Sequence, residues 1–288
     1  MVPSRHDSDM PLRRWRAYLR AALASSVAAA PLAAQKDFFN TDAGRPLTIE
    51  DAYALERRSI EIQAAPLRIE RIRGGQYRWG IEPEIAIGLF ARTQLEVGVP
   101  LVFAEGGADA PGARRAGAAG IELSGLHNLN RETSIPAFAI GASALLPAGA
   151  LGPDAAYGSV RGMMTRTFPG FRAHLNAQAT FGPGLSRSTA RPDPIGGNTL
   201  ELSRWLAGVA VDRTFPLSSL LLGAEVFARA PIVSGQALEW NAGVGARWQA
   251  DPRWAMDAGL GRHLTGDDRG WYFTLGGAYA VGWMWRAR

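Results

Sequence analysis

From Ser59 to the end of the chain, apolar residues fall at every second position, in runs too long for an ordinary globular strand. Tyr77, Trp79, Ile81, Ile85, Ile87 and Leu89 alternate with Arg78, Gly80, Glu82, Glu84, Ala86 and Gly88. Phe171 to Phe181 and Glu239 to Gln249 repeat the pattern. Side chains on a strand point to opposite faces in turn, so each run is a ribbon with one greasy side and one polar side. About twelve such segments are found, near 59–72, 76–90, 93–104, 117–127, 133–146, 157–168, 171–182, 200–214, 218–230, 236–249, 253–264 and 270–285. A globular strand has about 5 or 6 residues, whereas a tilted strand crossing a bilayer needs roughly 9 to 11, and these segments match the second. Their connections alternate. Ala91-Arg92, Asn128 to Arg131, Pro169-Gly170, Phe215 to Leu217 and Asp251-Pro252 are short; Glu105 to Arg115, Ala148 to Ala156, Gly182 to Asn198 and Thr265 to Arg269 are longer. Short periplasmic turns and long outer loops are the mark of an outer-membrane barrel. The expected fold is all-β, a transmembrane antiparallel up-and-down barrel of about twelve strands.

Alternation does not say which face is outside, because a soluble barrel buries its apolar side. Two features choose lipid. Phe90, Phe168, Phe171, Phe215, Trp248, Trp254, Trp283 and Trp285 flank the short turns, where an aromatic girdle meets headgroups. The other face carries charges of both signs, which a wet lumen tolerates and a dry core does not. The last strand, Thr274-Leu275-Gly276-Gly277-Ala278-Tyr279-Ala280-Val281, has the polar-x-Gly-x-x-aromatic-x-apolar form read by the barrel-insertion machinery. That machinery and outer-membrane lipid are the expected partners. Pro66, Pro83, Pro100 and Pro136 interrupt segments and call for bulges or strand ends.

Ahead of the barrel, Arg13, Arg14, Arg16 and Arg20 precede a small apolar stretch from Ala21 to Pro31, with Leu32-Ala33-Ala34-Gln35 as a cleavage zone. This reads as a secretory signal over 1–34, and as export to the outer membrane. Residues 35–58 then form a periplasmic lead-in or partial plug. Thr48-Ile49-Glu50-Asp51 has helix-start spacing, so a short helix is expected from Ala52 to Arg57. Residues 59–288 make the barrel. The formal charge of +5 owes much to the signal, which holds five of the 31 basic and two of the 26 acidic residues and leaves the rest near +2. No basic cluster with interleaved aromatics remains, which argues against nucleic acid. The absence of cysteine excludes disulfides and thiolate sites.

Enzyme chemistry finds little footing. His6, His127, His174 and His263 include no pair at metal-ligand spacing, so neither a metal nor a cofactor is expected. The surroundings of His127, His174 and His263 fail the histidine–serine–asparagine pattern of outer-membrane phospholipases, and Gly-x-Ser-x-Gly is missing. Asp257 and His263 can share the lumen, but as a solvated lining. Gly182-Pro183-Gly184 and Gly196-Gly197 punctuate a loop. The functional candidates are the charged residues that alternation turns inward: Arg78, Glu82, Glu84, Glu96, Glu122, Arg161, Arg172, His174, Arg204, Asp212, Glu225, Arg229, Glu239, Arg247 and Asp257, with Arg68 and Glu70 beside them. They form either a charged constriction that orients a solute or an ion-pair network that fills a narrow barrel.

Gly88-Leu89-Phe90-Ala91-Arg92-Thr93-Gln94-Leu95-Glu96-Val97-Gly98-Val99-Pro100-Leu101 resembles the strand–turn–strand of the bacterial family named for the MetA pathway of phenol degradation. Gly120 to Gly125, Pro136 to Gly149, Gly243-Val244-Gly245-Ala246-Arg247 and Asp257-Ala258-Gly259-Leu260-Gly261 extend the likeness over most of the chain. The resemblance implies a transporter-like outer-membrane barrel, distantly similar to importers of aromatic or fatty compounds, and supplies no binding residue. The expectation is a passive channel or transporter for small, hydrophobic or aromatic solutes, gated by loops or by Lys36 to Arg57. The alternatives are a closed structural or adhesive barrel and, further off, a lipid-active enzyme.

Overall fold

The computed structural model describes residues 41, 45–71, 77–107, 110–184, 202–250, 253–266 and 269–282. The expected signal over 1–34, the pair Gly196-Gly197, Trp283, Trp285 and the tail lie outside these residues. Twelve strands form one closed antiparallel barrel. They are β1 (Ser59–Arg71), β2 (Tyr77–Phe90), β3 (Thr93–Gly98 and Leu101–Gly107), β4 (Ala110–Ala118 and Ile121–Asn128), β5 (Ala137–Leu146), β6 (Tyr157–Phe168), β7 (Phe171–Phe181), β8 (Ser203–Thr214), β9 (Leu220–Pro231), β10 (Glu239–Gln249), β11 (Trp254–His263) and β12 (Trp271–Gly282). Each strand pairs with its neighbours in sequence, and β1 closes on β12 from Ser59↔Gly282 to Glu70↔Tyr272. Closure leaves no edge, which is what allows a sheet to stand in hydrocarbon.

The prolines mark the irregularities. Pro66 sits in a bulge of β1, where the register shifts between Gln63 and Leu67 against β12. Pro100 splits β3 and faces the break at Ala119-Gly120 in β4, with Ala119 N–H donating to the Pro100 carbonyl at 2.7 Å. Pro83 lies opposite that split, and its carbonyl accepts from Val99 N–H. Pro136 precedes the first residue of β5. One expected loop is shorter than the sequence implies. Within Glu105 to Arg115 the chain is mostly strand, because β3 and β4 pair out to Gly107↔Ala110.

The faces are sorted as in a membrane protein. Outward positions are apolar and open, with Val244 at 56 %, Ile140 at 55 % and Val160 at 51 % exposure, while inward Glu82, Arg68 and Asn241 are at 0–1 %. Aromatic pairs stand outside near both ends: Trp79 stacks on Phe103 at 3.8 Å, Phe168 on Phe171 at 5.0 Å, and Trp254 meets Tyr279 at 4.7 Å.

Candidate functional site

The lumen is occupied by the chain itself. Residues 45–58 coil around the inner wall near the short turns, passing the strands in descending order from β11 to β2 before entering β1. The helix expected over Ala52 to Arg57 does not form; no described residue is helical. An isolated turn or two of helix is marginal, and here its backbone donors are taken by side chains of the wall. Thr48 and Ile49 N–H donate to one Glu225 carboxyl oxygen at 2.7 and 2.9 Å. Glu50 N–H donates to Asn176 Oδ1, and Asn176 Nδ2 donates back to the Glu50 carbonyl, both at 2.9 Å. Ala52 N–H donates to Thr165 Oγ1 at 2.9 Å, Asn128 Nδ2 to the Ala52 carbonyl at 2.6 Å, and Leu55 N–H to Gln94 at 2.7 Å. Asp51 caps the segment from within, accepting from Thr41 and Tyr53 N–H. Within the stretch 35–58, expected as a lead-in or partial plug, residues 45–58 lie against the inner wall of the barrel.

Glycines on the inner face make the seat. A Cβ at Gly245 would lie 2.7 Å from Pro46 Cβ, one at Gly259 2.6 Å from the Pro46 carbonyl, and ones at Gly223 and Gly208 2.8 Å from Leu47 and Ile49. At Gly88 it would lie 1.9 Å from the Glu56 carbonyl oxygen. The strands thus give up side chains along the path of the segment, and this close approach is why glycine is needed there. Leu47 and Ile49 fill the resulting hollow with Leu206, Ala210 and Phe227. Ala52 packs with Leu126, Ala137, Ala139 and Met163.

Charges lock the start and the middle of the segment. Arg45 is 1 % exposed and reaches Glu61 of β1 at 3.2 Å and Asp257 of β11 at 3.4 Å. Arg247 holds the same Asp257 at 2.5 Å. Arg161 binds Glu50 and, at 2.9 Å, Gln178. Arg172 grips Asp212 through two bonds of 2.8 and 2.7 Å and reaches Asp51 at 3.6 Å. His174 lies between Thr165 (3.0 Å) and Asp212 (3.1 Å). The order threonine–histidine–aspartate resembles a nucleophile relay, but Thr165 is fully buried under Ala52, whose N–H it accepts. The relay therefore props the segment. At the short-turn end, outside the strands, Tyr53 donates to Glu132 at 3.1 Å. Burial, then Glu132, push the Tyr53 hydroxyl above its usual range. Partial burial pushes Glu132 up, but bonds from Thr167 and Tyr53, with Arg166, hold it below the usual carboxylate range.

The other candidates form two groups nearer the long loops. Arg78 binds Glu70 at 2.7 Å, Arg68 binds the same carboxylate and stacks over Tyr272 at 3.9 Å, and Arg229 binds Glu239 at 2.6 Å. His263 lies 3.6 Å from Glu70, so it does not share a partner with Asp257. Across β2, β3 and β4 stand Glu82, Glu84, Glu96 and Glu122; Glu96 accepts from Gln94 and Ser124 at 2.5 Å, and the Glu82 carboxylate lies over Gly98. Arg204 is set apart at the loop end, donating to the Gly182 carbonyl at 2.7 Å. Beside the segment, a cavity lined by Gln94, Glu96, Ser124, Ser143, Arg161 and Gln178 has only about 30 Å³ of room. A water needs roughly 10–15 Å³ by the same measure, so about two waters fit and no larger solute does. Sequence reasoning missed Arg45, Thr165, Asn176 and the glycine seat. Gly245 and Gly259 were visible as glycines on the polar face, and a polar face without side chains signals something lying against it.

No family model matches the chain, and no curated protein does. Among solved structures it is similar to an outer-membrane channel from Pseudomonas putida F1, at 14 % identity and a TM-score of 0.53, over 80 % of this chain and 98 % of that one. It is also similar to the KdgM porin in complex with disordered oligogalacturonate, at 12 % identity and a TM-score of 0.47, over 77 % and 98 %. The first likeness is one of fold, a closed antiparallel β-barrel like that of the channel it matches.

Proposed function

We propose that the chain is a passive outer-membrane channel for small solutes, held shut in this state by its own residues 45–58. One observation carries the reading: backbone N–H groups from Thr48 to Leu55 bond to side chains of the lumen wall, on a bed of glycines and with only small apolar contacts at Leu47, Ile49 and Ala52, so the segment is seated against the wall without joining its sheet. Ion pairs and side-chain hydrogen bonds re-form with water when such a segment leaves, so the main cost of departure is exposing Leu47, Ile49 and Ala52. Hydrophobic or aromatic solutes are the proposed cargo, a choice supported by the resemblance to the MetA-pathway family, in which we place the chain. The small residual cavity favours a second reading, a permanently closed structural barrel. Conductance across planar bilayers decides between them. The channel reading expects rare openings in the wild type and steady conductance when 45–58 is deleted; a silent deletion variant that still inserts as a folded barrel overturns it.

A further inference from the structure

A second cavity lies on the outer wall, back to back with the first. It is a hollow of about 730 Å³ across β3 to β7. Small residues make its floor, Gly125, Ala142, Gly162 and Ala177, and Leu95, Ile140 and Val160 make its sides. A Cβ at Gly162 would meet nothing within 4 Å. The floor is sealed: the registers β4–β5, β5–β6 and β6–β7 run without a shift, from Ile121↔Leu146 through Ala137↔Thr165 to Phe168↔Phe171. Nothing passes inward here, so the hollow serves the membrane side.

Its two ends differ in chemistry. At the short-turn end Thr93 and His127 line it, and Thr93 Oγ1 meets His127 Nδ1 at 2.9 Å, which leaves Nε2 of an exposed imidazole facing out. Arg92, whose guanidinium lies 3.1 Å from the Leu129 carbonyl, and Arg131 are exposed on the adjacent turns. The far end, at Val160 and Ala179, is apolar. Ala179 is eight residues along β7 from Phe171, which at about 3.3 Å per residue and a tilt of about 40° is roughly 20 Å. One leaflet's share of the hydrocarbon core is roughly 15 Å. A cationic rim at headgroup depth above an apolar trough one leaflet deep has the polarity of a single amphiphile.

We propose that this hollow is a lipid site, taking one acyl chain of an anionic phospholipid of the periplasmic leaflet, with its phosphodiester against His127, Arg92 and Arg131. The short turns, and hence this rim, face the periplasm. Acidic headgroups complement the rim, and the proposal holds whether or not the lumen conducts.

The test is native mass spectrometry of the full chain, released in mild detergent from vesicles of equal phosphatidylglycerol and phosphatidylcholine. One phosphatidylglycerol per chain is expected. Filling the hollow with Gly162→Leu and Ala177→Leu lowers that adduct about tenfold, and His127→Gln with Arg131→Gln brings the two lipids to parity. Folding is checked by heat-modifiable gel mobility; should the leucine variant misfold, the rim variant, which leaves the hollow untouched, decides alone. Retention of detergent only, equal retention of both lipids by the wild type, an adduct indifferent to these substitutions, or a dimer seated on the hollow each overturns the proposal.

Discussion

Glu225 is the residue on which the closed state should most depend. Its one carboxyl oxygen receives two consecutive backbone N–H groups, Thr48 at 2.7 Å and Ile49 at 2.9 Å, on a segment with no secondary structure of its own. Truncation by Glu225→Ala leaves both donors without this acceptor. An unsatisfied buried donor costs about 1–3 kcal/mol. Water entering the space left by the side chain recovers part of that, so about 2–4 kcal/mol is the expected loss of anchoring for the pair. At about 1.4 kcal/mol per decade, the open fraction should rise by roughly 30- to 1,000-fold. Planar-bilayer recording reads this as open probability per inserted barrel. Glu225→Gln keeps an acceptor and should fall between wild type and alanine. Folded Glu225→Ala barrels that open no more often than the wild type would refute the view that these bonds hold the segment.

Other perturbations probe the same design. Gly88→Ala and Gly245→Ala place a methyl 1.9 Å from the Glu56 carbonyl oxygen and 2.7 Å from Pro46 Cβ, so each should unseat the segment and raise conductance while barrel mobility on gels is unchanged. Pro46→Cys with Gly245→Cys introduces the only thiols in the chain. Oxidation should silence the channel and reductant restore it, because the pair lies within about 1 Å of disulfide reach. Val244→Arg, on the open lipid face in mid-strand, should cost about 2–4 kcal/mol in denaturant titration of the bilayer-inserted barrel, and unaltered stability would contradict the assigned orientation. Glu132 is held below the usual carboxylate range in the folded state, so its contribution is present above the unfolded value and lost as pH falls through the folded one. Open probability should therefore gain a step as pH falls below the usual carboxylate range, and Glu132→Gln should remove Glu132's share of it.

How much of this could be read in the sequence depends on which physical signal each part leaves. The barrel leaves a strong one. A period of two sustained for more than ten residues, as in Tyr77 to Phe90, is hard to obtain from anything but a long two-faced strand, and the charged alternate positions decide which side is wet. The segment inside leaves a weak and misleading one. Thr48 to Asp51 has the spacing of a helix start, and local preference would make it one in water. Its surroundings are instead a ring of acceptors and donors contributed by β3, β4, β6, β7 and β9, which no window of sequence around residue 50 contains. Intrinsic preference worth a few tenths of a kcal/mol per residue yields to a set of bonds worth about 1 kcal/mol each. The ion pairs lie between these extremes. Alternation turns Arg172 and Asp212 to the same face, and their adjacency needs only the pairing of β7 with β8. Arg45 with Asp257 spans 212 positions and needs the closed ring. The glycines were the available clue to it. In a polar lumen face each glycine weakens its strand, and Gly208, Gly223, Gly245 and Gly259, on four successive strands, repeat that cost along one path. Only something lying across all four strands accounts for their row, and residues 45–49 are what lies there.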